Sequence, residues 1–410
     1  MREVLIVGAG QAGLQIAVSL REGGFDGRVT IVGTESYTPY QRPPLSKTFL
    51  HGEADVESLE LRSAAFYEEH RIDLVCGETV TAIEFDGTTG RATTDTGRVI
   101  GFDALALATG SEPRRLSIEG AELDGVLSLR DIDDAVELKR RWDAARNVVV
   151  IGGGFIGLEV AAGATKDGKR AVVLEALDRL IARAVSPEMS EFLRSAHERR
   201  GTTVRLGVRI VRLVGEQGRV IGVELDDGEV IPADVVMVGI GVVPRVHLAE
   251  MLGLECINGA VVVDEYARTS RPGIVAAGDS VLLPHPLGSG VQVRLESVQN
   301  AVDQARIAAS TLLGELMPYT SVPWFWSDQA DLKLQIAGLS TGYDSTVVRG
   351  DPDSEQFSVL YFRDDRLIAI DTVNHVHDYL AAKRALAAGQ TVSALAAADA
   401  SVALKTLVVD

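Results

Sequence analysis

Apolar positions fall along this chain in short unbroken runs, and in two places the run, the glycines behind it and the pattern that follows agree closely. Val4 to Val7 leads into "GAGQAGLQIAVSL", and Val148 to Ile151 leads into "GGGFIGLEVAA". A continuous apolar run of this length predicts a parallel strand covered on both faces. The apolar spacing after each glycine turn predicts a helix. Gly8 and Gly152 permit the tight turn, and Gly10 and Gly154 let backbone N–H groups approach a pyrophosphate at the helix N-terminus. Gly13 and Gly157 let helix and strand pack closely.

Glycine supplies 41 of 410 residues, so a bare G-x-G-x-x-G arises by chance roughly 0.4 times in a chain this long. One match is weak; two in the right setting are specific. After each turn a second apolar strand ends near an acid, "RVTIVGTE" at Glu35 and "RAVVLE" at Glu175. Each acid lies about twenty residues beyond the third glycine, where a carboxylate accepts hydrogen bonds from an adenosine ribose. The repeat also ends alike, because "DALALATGSEPR" and "DVVMVGIGVVPR" share Asp, Gly, Pro and Arg at identical offsets. Two nucleotides held by two similar domains is the reading; two glycine turns in an ordinary doubly wound protein is the bland alternative.

The pattern divides the chain into an α/β architecture of two Rossmann-like domains and a C-terminal α+β domain. Residues 1–112 form the first nucleotide domain, with a β-rich insertion around "GETVTAIEFDGTTGRATTDTG", and 113–244 the second, entered through the helix-like "RDIDDAVELKRRWDAARN". Residues 245–319 return to complete the first domain, which is therefore discontinuous; "GIVAAGD" is read as a strand ending at Gly278 and Asp279. From about 320 the composition changes: Trp324 and Trp326 sit in "VPWFWSDQ", alternating strands follow, and a helix is predicted from His377 to Ala388.

Composition narrows the chemistry. The 46% hydrophobic content and mean hydropathy of +0.14 suit large cores. The chain opens directly on a strand, so neither a signal peptide nor a spanning helix is expected, and a cytoplasmic location is. A net charge of −18 argues against broad binding to nucleic acid or anionic membranes. Cys76 and Cys256 are the only cysteines, with no C-x-x-C and no metal-ligand spacing. A redox pair of neighbouring cysteines is excluded, no metal is expected, and each cysteine is read as a small buried apolar residue.

Together the two fingerprints, "YTPYQRPPLSK", "ALATG", "GIVAAGD", "VRLESVQNA" and "PWFWSDQ" resemble the FAD-dependent, NADH-using ferredoxin reductases of bacterial oxygenase systems, the putidaredoxin reductase type with a glutathione-reductase-type fold. The resemblance covers essentially the whole chain. It implies that the first domain holds FAD tightly but non-covalently, that the second takes NADH, and that the third helps form the flavin site and a docking face. The implied acceptor is a 2Fe-2S ferredoxin supplying a haem or ring-hydroxylating oxygenase. Rubredoxin, a quinone, a small molecule, or a flavin and NADH redox-sensing role are the rival readings.

The residues themselves support those assignments. Asp279 is placed to accept from ribityl hydroxyls, Arg42 offers a bidentate donor to the FAD phosphates, and Thr109 and Gly110 belong to the "ALATG" turn. Glu296, Ser297 and Val298 open a helix whose positive end favours negative charge on the flavin pyrimidine side. By resemblance Lys47 lies beside the flavin N5 edge, and Glu159 lies near the nicotinamide amide. We read them as an ion pair that aligns the two rings, since a buried ammonium needs a partner. Phe155 replaces a tyrosine common in the family, keeping an aromatic wall beside Ile156 without the hydroxyl. Trp326 is expected to cover the flavin edge. Arg306, with Arg294 and Lys333 behind it, is the candidate docking cation for an acidic ferredoxin.

Overall fold

A computed structural model of the chain describes residues 1–288 and 290–410. The chain forms two compact units, residues 1–41, 56–112 and 242–323 in the first, and 42–55, 113–241 and 324–410 in the second. The short segment 42–55 thus packs with the second unit, although the chain around it belongs to the first.

In the first unit a 5-stranded parallel sheet has the order Ile274–Ala276, Ala104–Leu107, Glu3–Val7, Arg28–Gly33, Ile72–Cys76. Its central strand is the first apolar run, and the next strand in sequence, Arg28–Gly33, lies on one side of it while the chain crosses over to place Ala104–Leu107 on the other. That reversal of strand order opens a crevice at the carboxyl ends, and the Gly8 turn lies there. The helix Gln11–Glu22 follows the turn and packs against Val298–Leu312. Small side chains, Ala12 and Ala17 on one helix and Ala301, Ala305, Ala308 and Ala309 on the other, are buried in one core with Ile6, Ile16 and Ile31. An antiparallel sheet of Val80–Phe85, Gly90–Thr94 and Val99–Phe102 accounts for the predicted β-rich insertion. The strand expected to reach Gly278 ends at Ala276, because the chain turns at Gly278 with φ of 90°.

The second unit repeats the plan. Its 5-stranded parallel sheet runs Thr203–Leu206, Arg170–Glu175, Asn147–Ile151, Val235–Val238, Val126–Leu127, again with the fingerprint strand at the centre. The helix Phe155–Lys166 follows the Gly152 turn. The predicted linker helix is Ile132–Trp142, capped by Asp131, whose side chain accepts from the Asp134 amide. An antiparallel sheet, Trp324–Gln329, Leu332–Gly338, Arg366–Val373, Gln356–Arg363, Ser345–Asp351, builds the α+β portion. The expected helix spans Val376–Ala387, and a tail follows it that closes by pairing Thr391–Val392 antiparallel with Val408–Val409. Arg349, buried and paired to Asp378 at 2.8 Å, also donates to the carbonyls of Ala397, Asp399 and Val402 and so anchors that tail.

Candidate functional site

The residues named from the sequence divide between the units. In the first, the three glycines have different reasons for being glycine. A Cβ on Gly8, where φ is 117°, would sit 2.0 Å from the Ala108 carbonyl oxygen, and one on Gly13 would sit 1.8 Å from the Gly8 carbonyl oxygen. Packing alone demands both. A Cβ on Gly10 would meet nothing within 4 Å, so the protein leaves that space open. Gly10 is also the N-cap of its helix, with no side-chain capping bond and no acid in the first turn. A helix N-terminus of this kind has unsatisfied N–H groups and a positive end, which fits a dinucleotide pyrophosphate.

Around that turn, Glu35 lies just past the Arg28–Gly33 strand and accepts from the Tyr40 hydroxyl at 2.5 Å. Thr109 Oγ1 donates to the Arg245 carbonyl at 2.7 Å, and Gly110 takes φ of 64°. The Asp279 carbonyl accepts from Ser111 Oγ, while Gly278 N–H donates to the buried Gln304 Oε1 at 2.8 Å. Gln304 escapes sequence reading because it sits mid-helix with nothing local to mark it. Val298 begins its helix and Ser297 caps it by accepting from the Asn300 amide; Glu296 lies just outside, paired to Arg294. The two cysteines, both in this unit, are half-buried rather than fully buried. Burial first, and for Cys76 the Glu35 charge second, push the Cys76 thiol up; burial and nearby Glu250 and Glu255 do the same for Cys256.

The second fingerprint has the same division of labour. A Cβ on Gly152, at φ of 104°, would lie 2.4 Å from the Gly239 carbonyl oxygen, and one on Gly157 would lie 2.4 Å from the Gly152 carbonyl oxygen. Gly154 has only a carbonyl at 3.9 Å and caps its helix without a side-chain bond. By contrast Ser186, Asp131 and Ser297 each cap their helices with an oxygen. Glu175 ends its strand with both oxygens held by backbone, accepting from Gly153 N–H at 2.6 Å and Leu177 N–H at 2.8 Å. Leu177, two residues beyond this acid, and Ile156, two beyond Gly154, are exposed apolar side chains. Leu177 is not singled out by the sequence reading; its one signal is an apolar residue two beyond Glu175.

Lys47 and Glu159 come together as read: Nζ lies 2.9 Å from Oε1, with Glu159 buried and Lys47 about one-fifth exposed. Glu159 also accepts from Ser46 Oγ at 2.6 Å on Oε2 and from Ser327 Oγ at 2.7 Å on Oε1. Neither serine was identified from sequence, although each lies inside a quoted motif, "PPLSK" and "PWFWSDQ". The Lys47 segment is tied to the same helix again by His51, whose Nδ1 is 3.0 Å from Asp167 Oδ2, an oxygen that also accepts from Trp142 Nε1. Arg42 opens this segment and donates to the Arg130 carbonyl at 2.5 Å. Phe155 stacks at a tilt on Phe325, centroids 4.6 Å apart, and Trp326 continues the aromatic row beside Phe325 and Trp324.

Of the candidate docking cations, Arg306 is exposed and paired to Asp303 at 3.0 Å on the first unit, whereas Lys333 lies exposed on the second, opposite Asp328 in the sheet. Among the described residues no group of His, Cys, Asp and Glu could hold a metal ion, and no helix is long and apolar enough to cross a membrane.

The family model for pyridine nucleotide-disulphide oxidoreductases matches residues 2–305, and one for a reductase C-terminal region matches 324–408. Rhodocoxin reductase of Rhodococcus erythropolis is 47% identical over 98% of this chain and 93% of its own. The crystal structure of the ferredoxin reductase for the CYP199A2 system from Rhodopseudomonas palustris superposes with a TM-score of 0.95 at 41% identity, covering 99% of both chains. The covalent putidaredoxin reductase–putidaredoxin complex gives a TM-score of 0.95 at 37% identity, over 99% of this chain and 98% of that one. With both glycine turns built to receive dinucleotides, the chain belongs to the pyridine nucleotide-disulphide oxidoreductase family and is an oxidoreductase that works with FAD and a nicotinamide dinucleotide.

Proposed function

We propose that this enzyme passes electrons from NADH through FAD to a small 2Fe-2S ferredoxin, which supplies a haem or ring-hydroxylating oxygenase. The observation that carries the reading is the cysteine inventory. The chain has two cysteines, both free, and burial raises both thiols away from the thiolate form that disulfide exchange needs. Electrons therefore leave without passing through a protein disulfide, despite the family's name. Likeness to a reductase caught in complex with putidaredoxin favours a ferredoxin as acceptor.

In this reading residues 1–112 and 245–319 form the FAD domain, 113–244 the NAD domain and 320–410 the interface domain. Bound FAD supplies the conversion of a two-electron donor into one-electron steps. The chain's part is alignment and electrostatics. Gly8, Gly10, Gly13, Glu35, Arg42, Thr109, Gly110, Asp279 and the Glu296–Val298 turn hold FAD, while Gly152 to Gly157 and Glu175 hold NADH. Lys47 and Glu159 align nicotinamide with flavin, and Trp326 covers the flavin edge. Glu175 accepts from a free 2′-hydroxyl and repels a 2′-phosphate, so NADH should be preferred over NADPH by roughly a hundredfold in kcat/KM even after screening.

The test is reduction of a panel of purified ferredoxins and rubredoxins, each followed directly. Ferredoxin turnover should fall as salt rises, and Arg306→Glu should raise KM for ferredoxin roughly tenfold or more while NADH still reduces the flavin at the wild-type rate. Rubredoxin turning over faster than every ferredoxin would replace the acceptor. A reduced flavin that no one-electron acceptor reoxidises would favour the redox-sensing role.

A further inference from the structure

Behind Glu159 lies a run of buried polar side chains that the alignment role of the ion pair does not use. Ser327 Oγ donates to Glu159 Oε1 at 2.7 Å, Gln329 Nε2 lies 3.2 Å from Ser327 Oγ, and His197 Nε2 lies 2.8 Å from Gln329 Oε1. All are buried, Ser327 fully, Gln329 at 1% and His197 at 2% exposure. They come from separate elements of the second unit: Glu159 from Phe155–Lys166, Ser327 and Gln329 from Trp324–Gln329, His197 from Pro187–Arg199.

The carboxylate fixes the direction of every bond in this run. An ionised carboxylate only accepts, so Ser327 must spend its single hydroxyl hydrogen on Glu159. Ser327 Oγ can then only accept from Gln329, which turns the amide nitrogen toward it and the amide oxygen toward His197. That oxygen needs a donor, so His197 carries its hydrogen on Nε2. Burial lowers the His197 pKa and keeps the ring neutral, leaving Nδ1 bare, and Nδ1 is buried without a partner. Glu159 thus receives Lys47, Ser46 and Ser327. Of the roughly four lone-pair positions of a carboxylate, one is left on Oε2.

We propose that Ser327, Gln329 and His197 are positioning residues that hold the Glu159 carboxylate so that its one remaining acceptor position receives the nicotinamide carboxamide. The inference rests on the reading that Glu159 lies beside the nicotinamide. An amide does not pass a proton along such a chain, so the run orients a charge and transfers nothing.

Gln329→Glu tests this at constant shape. It replaces the donor facing Ser327 by a carboxyl; at alkaline pH, where the measurements are made and that carboxyl is ionised, it is a second acceptor, and one hydroxyl hydrogen cannot satisfy two carboxylates. The measurements are the affinity of the purified holoenzyme for NAD+ and for ADP-ribose, which lacks the nicotinamide, by calorimetry, together with the rate of flavin bleaching by NADH in stopped flow. Gln329→Glu should weaken NAD+ by roughly threefold or more and slow bleaching roughly tenfold, with ADP-ribose binding unchanged. His197→Gln, which keeps a donor near Nε2, should retain the wild-type values, and His197→Phe should lose them. Equal weakening of NAD+ and ADP-ribose would mean general damage and overturn the proposal, as would wild-type values in both Gln329→Glu and His197→Phe. If Gln329→Glu does not fold, Ser327→Ala and the His197 pair decide by the same criteria. Glu159→Gln separates the two levels. Unchanged NAD+ binding and bleaching in that variant would sink the placement of Glu159 itself; a defect there, with none along the chain, would sink only the positioning role.

Discussion

Counting five residues from the middle glycine of each fingerprint reaches Gln15 in one copy and Glu159 in the other. Gln15 is partly exposed and its amide donates to Ser19 Oγ at 3.0 Å, one turn along its own helix. Glu159 is buried and gathers three donors from segments far away in sequence. The two copies share strand, turn and helix because the turn is a backbone requirement that three glycines meet locally. At this helical position they diverge in role, because a buried carboxylate requires partners that no local sequence supplies. The repeat builds two nucleotide cradles, and the substitution at its fifth position makes one of them a charged site.

The strongest way to break the comparison is to remove what the copies share. Gly8→Ala forces a Cβ against the Ala108 carbonyl at 2.0 Å in a left-handed backbone, so strain and overpacking should cost about 3 kcal/mol or more. Gly10→Ala meets no protein atom and should leave apoprotein stability unchanged while abolishing FAD retention. Urea unfolding of the apoproteins, with flavin content of the purified holoproteins, separates the two. Equal destabilisation by both substitutions would refute the division between packing glycine and phosphate glycine.

The next largest effect comes from stripping the charged site of its cation. Lys47→Met leaves the Glu159 charge buried with only its two serine donors. Removing one member of a buried pair typically costs 3–5 kcal/mol, and the partial exposure of Lys47 puts the expectation here at about 2–3 kcal/mol. Lys47→Met with Glu159→Gln should recover most of that loss in thermal unfolding, because no uncompensated charge remains. A double variant no more stable than Lys47→Met would show that the lysine acts through packing alone.

What sequence reading could reach follows the same line between local and distant causes. Both glycine turns, the acids at the ends of the strands that follow them and the helix start at Ser297 and Val298 were legible, since each is decided by neighbours within a few residues. The Lys47 and Glu159 pair was legible only through resemblance. Ser46 and Ser327 were not, because they reach Glu159 across 113 and 168 positions and no periodicity marks a serine that points inward. The placement of residues 42–55 with the second unit has the same origin: the ties through Glu159, Asp167 and Arg130 all lie beyond the reach of local pattern.

A second buried carboxyl group sharpens the contrast between a carboxylate with three donors and one with a single donor. Asp371 lies in the antiparallel sheet with a single donor, the Tyr361 hydroxyl, which itself accepts from Ser186 N–H at 2.8 Å. Burial pushes Asp371 up to about 8, outweighing the hydrogen bond from Tyr361, which acts the other way. Below that value the folded protein keeps a proton that the unfolded chain releases near 3.8. The native state therefore binds more protons, and this contribution to stability falls as pH rises from about 4 to about 8, by up to about 1.4 kcal/mol per pH unit. Asp371→Asn should flatten that part of the stability curve measured by chemical unfolding between about pH 5 and pH 7.5. An unchanged slope would show that Asp371 is ionised in the fold.

The smallest expected effect is at Gln15, and it is informative because it is small. Gln15→Ala loses one partly exposed side-chain bond to Ser19, which is worth little where water competes, and gains the slightly better helix propensity of alanine. The two changes offset, so stability should move by no more than about 0.5 kcal/mol. Glu159→Ala, the same substitution at the matching position, removes the acceptor shared by Lys47, Ser46 and Ser327 and strands three donors, two of them buried hydroxyls. It should destabilise by roughly 2 kcal/mol or more and slow flavin reduction by NADH. A loss at Gln15 as large as that at Glu159 would mean that the fifth position is structural in both copies, and that the charge at Glu159 has no role beyond the fold.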